Sequence, residues 1–97
     1  MNITVTPEAL AWFKREIELE SGMGIRFLGK VYGSTQVHDG FSIGMSVDRP
    51  ENPLVKKEIE GILFFAEKED DWFFKGYDLT VDYNKELDEP KYIFTEI

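Results

Sequence analysis

The residue types of a nucleophile, a base and an orienting group lie within one short stretch, where Tyr32, Ser34 and Thr35 precede His38 and Asp39. Adjacent His and Asp side chains on an extended segment point to opposite sides, and a serine triad also needs an acid behind the imidazole and oxyanion donors. Catalysis is not expected from this set, and the chain is expected not to be an enzyme. The same pair suits a nitrogen/oxygen metal site of the zinc or ferrous iron type. His38 and Asp39 are then the candidate ligands, joined by Asp82 or Glu60 where the segment folds back on a sheet. His38 is the single histidine, so a resident cofactor is not expected and a solvated loop histidine is the plainer alternative. The acidic run at residues 67–71 lacks the glycine and the twelve-position spacing of a calcium loop and is expected to be a solvated turn. Gly29-Lys30-Val31-Tyr32-Gly33 likewise lacks the spacing of a phosphate loop. What residues 33–40 do offer is a small, polar connection, with Tyr32, Gly33, Ser34 and Gln36 as candidates for contact with a ligand or partner. The small-residue row Ser42, Gly44 and Ser46 could complete a shallow concave site beside them.

The elements that position these residues must fit one domain, residues 1–97, because a chain this short closes a single small core. With no cysteine, disulfides, thiolate metal sites and cysteine nucleophiles are all excluded. Eight Phe, two Trp and four Tyr must supply the packing. A net charge of -8 argues against nucleic acid, whose phosphates need clustered cations. The opening Met1-Asn2-Ile3-Thr4-Val5 has neither a basic start nor a long apolar run, so membrane insertion and secretion are not expected and the cytoplasm is.

Ile3-Thr4-Val5 alternates like a short strand, and Thr6-Pro7-Glu8 combines an N-cap, a first-turn proline and an acid at the positive helix end. Leu10, Phe13 and Ile17 recur at helical spacing, with Ala9 and Trp12 widening the stripe and Ser21-Gly22 as the expected stop. Short β-rich runs follow from Gly24. In the second, Phe41, Ile43, Met45 and Val47 are expected to face the core. Residues 48–53 form a two-proline linker, and residues 55–59 pair as a hairpin with the apolar run Ile62-Leu63-Phe64-Phe65-Ala66, expected to be covered on both faces. Trp72-Phe73-Phe74 is expected to be a short helical turn whose rings cap the core, with Trp72 as the candidate for an exposed contact with a partner. Leu79, Val81 and Tyr83 alternate as a further strand, and Tyr92-Ile93-Phe94 ends the series. The sum is an α+β domain with one N-terminal helix on a curved, mostly antiparallel sheet of short strands.

This order of parts resembles the HesB-like family of A-type (IscA-like) iron-sulfur cluster carriers, in particular its small Gram-positive YneR-like branch. The resemblance rests on Ile3-Thr4-Val5-Thr6-Pro7-Glu8-Ala9, Gly24-Ile25-Arg26-Phe27, Glu60-Gly61-Ile62-Leu63-Phe64 and Leu79-Thr80-Val81-Asp82-Tyr83. It implies the carrier scaffold and the setting of iron-sulfur assembly. The family's first ligating cysteine would fall at about Ser34, after Gly33, and its Cys-Gly-Cys tail would follow Tyr92-Ile93-Phe94-Thr95, where the sequence stops at Ile97. A serine hydroxyl stays protonated near pH 7 and is a poor ligand for iron. The expectation is therefore a non-enzymatic HesB-like protein without cluster ligands, acting as an accessory or binding protein. Its protein or small-molecule partner is undefined, and a homodimer is the natural assembly. The alternatives are a His/carboxylate metal-binding protein and a homodimeric interaction module.

Overall fold

The computed structural model describes residues 1–30 and 42–97. Strand β1 (Ile3–Val5) leads through Thr6 into helix α1 (Pro7–Glu16). Thr6 is extended, and its Oγ1 accepts a hydrogen bond from the Ala9 N–H at 3.2 Å, which satisfies one of the orphan donors of the first turn. The same hydroxyl donates to Asp82 Oδ1 at 3.0 Å, so the cap also fastens the helix to the sheet. Ala9, Leu10 and Phe13 form the buried stripe.

The helix ends at Glu16, well before the expected stop at Ser21-Gly22. Ile17 is already extended, although its N–H still reaches the Phe13 carbonyl at 3.0 Å. Continuing the helix would stack Glu16, Glu18 and Glu20 at its negative end. Half-buried Ile17 and Leu19 instead alternate with exposed Glu18 and Glu20, the two-residue period of an extended chain.

The remaining strands are β2 (Gly24–Lys30), β3 (Ser42–Asp48), β4 (Pro53–Ile59), β5 (Ile62–Glu67), β6 (Tyr77–Asn84) and β7 (Glu89–Glu96). A 3-10 turn (Lys68–Asp70) and a short helix α2 (Asp71–Phe74) join β5 to β6. The α+β class, the N-terminal helix and the short strands are as expected. The strands divide between two sheets, ordered β1-β6-β7 and β3-β2-β5-β4. Each sheet has one parallel pair, β1 with β6 and β2 with β5, and the other three pairings are antiparallel. Parallel neighbours require long connections, and here the intervening chain supplies them.

Strand β5 lies between β2 and β4 with Phe64, Phe65 and Ala66 buried, so both of its faces are covered as its apolar run demands. Its hairpin with β4 turns on Glu60 (φ 48°) and Gly61 (φ 84°), the two left-handed positions of a primed two-residue turn. The β6–β7 hairpin is longer than the sequence pattern suggested. Its strands pair from Tyr77↔Glu96 to Asn84↔Glu89, because Asn84 Oδ1 accepts from the N–H groups of Glu86 (3.0 Å) and Leu87 (3.2 Å) and closes a tight loop.

The core joins both sheets and α1. Phe13 meets Phe64 edge-on at 5.1 Å, Phe27 stacks on Phe64 at 6.1 Å, and Ile3, Leu79, Val81 and Phe94 close it from the other sheet. Residues directly opposite in β2 and β3 share a face, which places Ile43, Met45 and Val47 on the core side with Gly29, Phe27 and Ile25. As β3 is the outer strand, that side is only partly covered: Ile43 and Met45 are half-buried, while Val47 is 44% exposed against expectation. In the row of small residues, Gly44 lies beneath the Lys30 side chain, whose Cε is 2.2 Å from where a Cβ would sit, and both residues line a cleft.

Candidate functional site

Strand β5 ends on Glu67, whose buried carboxylate accepts from the N–H groups of Glu51 (2.7 Å) and Asn52 (2.9 Å). The Lys68 N–H adds a bond to the Asn52 carbonyl at 2.9 Å. The point at which the chain leaves the sheet is thereby fixed. Three residues on, Asp70 is buried as well and accepts from Arg26 Nη2 at 2.8 Å. Arg26, in the middle of β2, bonds Glu69 through the same nitrogen and approaches Asp48 at 3.7 Å. Desolvation works against its charge, but the bonds from Asp70 and Glu69 outweigh this and raise its pKa above the ordinary value. Its Nε is buried without a hydrogen-bond partner. Glu67 and Asp70 correct the expectation that the whole acidic run is solvated: two of its carboxylates are structural anchors, and Glu69 and Asp71 remain exposed.

Beyond this anchor, α2 divides by direction. Phe73 and Phe74 point inward onto Phe94, at 5.8 and 6.4 Å, and onto each other at 5.0 Å. Phe73 also covers Gly29, where a Cβ would lie 2.8 Å from its ring. Trp72 points outward, 50% exposed, with its ring edge-on to Phe73 at 5.6 Å. A large aromatic is thus displayed on a firmly seated turn, directly after exposed Asp71, a surface that suits a partner offering an apolar socket with cationic neighbours.

A second feature lies between α1, β3 and β7. A cleft of about 350 Å³ is lined by Trp12, Lys30, Ile43, Met45, Tyr92 and neighbouring residues. At its rim, Trp12 Nε1 donates to the Asp88 carbonyl at 2.8 Å, and the Asp88 carboxylate accepts from Arg15 (2.5 Å) and the Tyr83 hydroxyl (2.6 Å). The Tyr83 and Arg15 bonds lower the Asp88 pKa. The Tyr83 phenol, bonded to Asp88, has its pKa raised, opposite to the direction that would activate it as a nucleophile.

Of the sequence-derived candidates, Trp72 lies among the described residues and is half exposed, while Phe73 and Phe74 beside it are buried. His38, Asp39, Tyr32, Gly33, Ser34 and Gln36 lie outside the described residues. The two oxygens suggested to complete a metal site have other partners: Asp82 holds Thr6 and the Tyr83 N–H, and Glu60 pairs with Lys14 at 2.8 Å. Among the described residues, no group of three or more His, Cys, Asp or Glu is placed to hold a metal ion. No helix among them is long and apolar enough to cross a membrane. Arg26 and Asp70 carry no local signal, because each looks like an ordinary outward charge until residues 44 apart are brought together.

No protein-family model matches the sequence. Over 90 residues the chain is 43% identical to a Bacillus subtilis (strain 168) protein named pyruvate dehydrogenase inhibitor, spanning 93% of this chain and 95% of that protein. It is 33% identical over 95 residues to an uncharacterised protein of Staphylococcus saprophyticus, spanning 95% and 97% of the two chains. The fold matches the crystal structure of Escherichia coli SufA, a protein involved in biosynthesis of iron-sulfur clusters, with a TM-score of 0.65 over 98% of this chain and 80% of that one, at 22% identity. The donor set for an iron-sulfur cluster does not fit, since the sequence has no cysteine thiolate. With the HesB-like fold of SufA and near full-length identity to the Bacillus protein, the chain belongs to the family of the Bacillus subtilis pyruvate dehydrogenase inhibitor.

Proposed function

We propose that this chain is a non-enzymatic regulator that binds a component of the pyruvate dehydrogenase complex and lowers its activity. The observation that carries this is the 43% identity to the Bacillus subtilis pyruvate dehydrogenase inhibitor across nearly the whole of both chains. The absence of cysteine leaves no thiolates for cluster transfer, so the HesB-like scaffold is used for its surface and not for cluster chemistry. The binding surface is the turn that carries Trp72 directly after the acidic residues 69–71, and the acidic character of the chain favours a basic patch on the target.

The test titrates the purified chain into a Bacillus pyruvate dehydrogenase complex and follows turnover of pyruvate. Saturable inhibition is expected, with the half-inhibitory concentration rising by about tenfold for Trp72→Ala, the usual effect of truncating an interface aromatic. Undiminished turnover at excess chain would overturn the inhibitory role. Inhibition that is indifferent to Trp72→Ala, with the variant's circular dichroism unchanged, would move the contact to another surface.

A further inference from the structure

The cleft bordered by α1, β3 and β7 has a wall that is held in place before anything enters it. Asp88, at the tip of the β6–β7 hairpin, has a left-handed backbone (φ 50°), which a residue with a side chain adopts at some cost. Its carbonyl accepts from Trp12 Nε1, and its carboxylate takes bonds from Arg15 and Tyr83. The indole N–H is thereby satisfied, and what Trp12 offers the cleft is ring surface. Ile43, Met45, Pro90 and Tyr92 extend that lining around about 350 Å³, within the usual range of small-ligand sites, about 300–1,000 Å³.

The polar groups select the occupant. Among the described residues, neither the Tyr92 hydroxyl nor the Glu89 carboxylate has a hydrogen-bond or ion-pair partner, and both residues line the cleft. The Tyr92 phenol stays protonated far beyond physiological pH, so it meets a ligand as a neutral hydroxyl. Glu89 is the one charged group that acts on this phenol. Lys30 also lines the cleft, but its stem lies over Gly44 and it is itself engaged, while Arg15 is held by Asp88. The field beside Tyr92 is therefore negative, as is the chain as a whole at -8, and aromatic ring faces add to it. An anion at this end would oppose Glu89, and a purely apolar ligand would cover the carboxylate without pairing it. A protonated primary amine answers each group: its charge lies against Glu89 and the ring faces, an N–H donates to the Tyr92 oxygen, and an apolar body covers Ile43 and Met45. A lysine side chain of a protein partner carries the same cation on a thin stem that leaves most of this lining uncovered.

We propose that the cleft binds a small arylalkyl ammonium, with Glu89 and Tyr92 receiving the ammonium group and Trp12, Ile43 and Met45 covering the body. The site stands or falls independently of the inhibitory role.

Isothermal titration calorimetry of the full chain with phenethylamine tests it, with one site per chain expected and a dissociation constant in the low millimolar range or below. The neutral 2-phenylethanol should bind at least about fivefold more weakly, and the anionic 3-phenylpropionate more weakly still. Glu89→Gln and Tyr92→Phe, each folded by circular dichroism, should each weaken phenethylamine by about threefold. In proton–nitrogen correlation spectra the Trp12 indole signal should move while that of Trp72 holds, the Trp72→Ala variant telling the two apart. Absence of phenethylamine binding up to about 10 mM, far above the expected constant, would overturn the site. Binding of 3-phenylpropionate as tight as that of phenethylamine would overturn the choice of a cation. Nα-acetyl-lysine amide binding as tightly as phenethylamine would overturn the small ligand in favour of a partner's lysine. Indifference of both folded variants, or movement of the Trp72 signal alone, would overturn the placement in this cleft.

Discussion

Tyr92 meets Phe27 edge-on at 5.9 Å at the back of the cleft, and its burial, helped by the nearby Glu89, raises the phenol pKa from 10.0 to about 12. Because the folded-state value lies above the unfolded one, the contribution to stability is complete below pH 10 and is lost as pH rises towards 12. A shift of two units corresponds to about 2–3 kcal/mol. Tyr92→Phe should flatten the fall in stability over that window, measured as urea midpoints on either side of pH 10; an unchanged slope would assign the alkaline loss to other groups. The pair at Arg26 separates a buried partner from an exposed one. Asp70→Asn leaves a nearly buried guanidinium short of its counter-charge beside an Nε that already has no partner, and should cost about 2–3 kcal/mol. Glu69→Gln removes a carboxylate 70% exposed and should cost less than about 1 kcal/mol. Equal losses in chemical denaturation would remove the distinction.

At the scale of elements, the seat of α2 depends on a residue that has no side chain. Gly29→Ala places a methyl group 2.8 Å from the Phe73 ring, and the expected loss is about 1–3 kcal/mol. Fluorescence of Trp72, which rests on Phe73, should shift with it, and an unchanged spectrum at unchanged stability would show that the turn has room to give. The start of α1 and the Glu60-Gly61 turn were legible in the sequence because their signals are local: a cap hydroxyl, a first-turn proline, a glycine between apolar runs. The end of α1 was not, since three acids and a two-residue period outweighed an apolar stripe that still scanned as helical at Ile17. Trp72 was legible only as one of three consecutive rings; that Phe73 and Phe74 turn inward follows from where Phe94 and Gly29 arrive in space. Glu67 and Asp70 looked solvated because their partners, the 51–52 backbone and Arg26, lie far away in the chain.

Across the whole molecule, a net charge of -8 acts against compactness, since most acids lie on the surface and repel one another. Added salt screens that repulsion, and the melting temperature should rise between low and physiological ionic strength. A fall instead would mean that exposed pairs such as Arg15–Asp88 and Lys14–Glu60 contribute more than the collective repulsion removes. The two ends of the chain are bound in a regular way: Asn2 with Asp78, Thr6 with Asp82 and Trp12 with Asp88 are each 76 residues apart, and β1 lies against β6 in parallel. During synthesis, then, the first strand and helix emerge from the ribosome long before anything exists for them to rest on. Phe13 can meet Phe64 once β5 is made, but Ile3 has no strand to pair with until β6 follows, so the nascent N-terminal segment is the natural client of a chaperone and the domain closes only when its last hairpin is made.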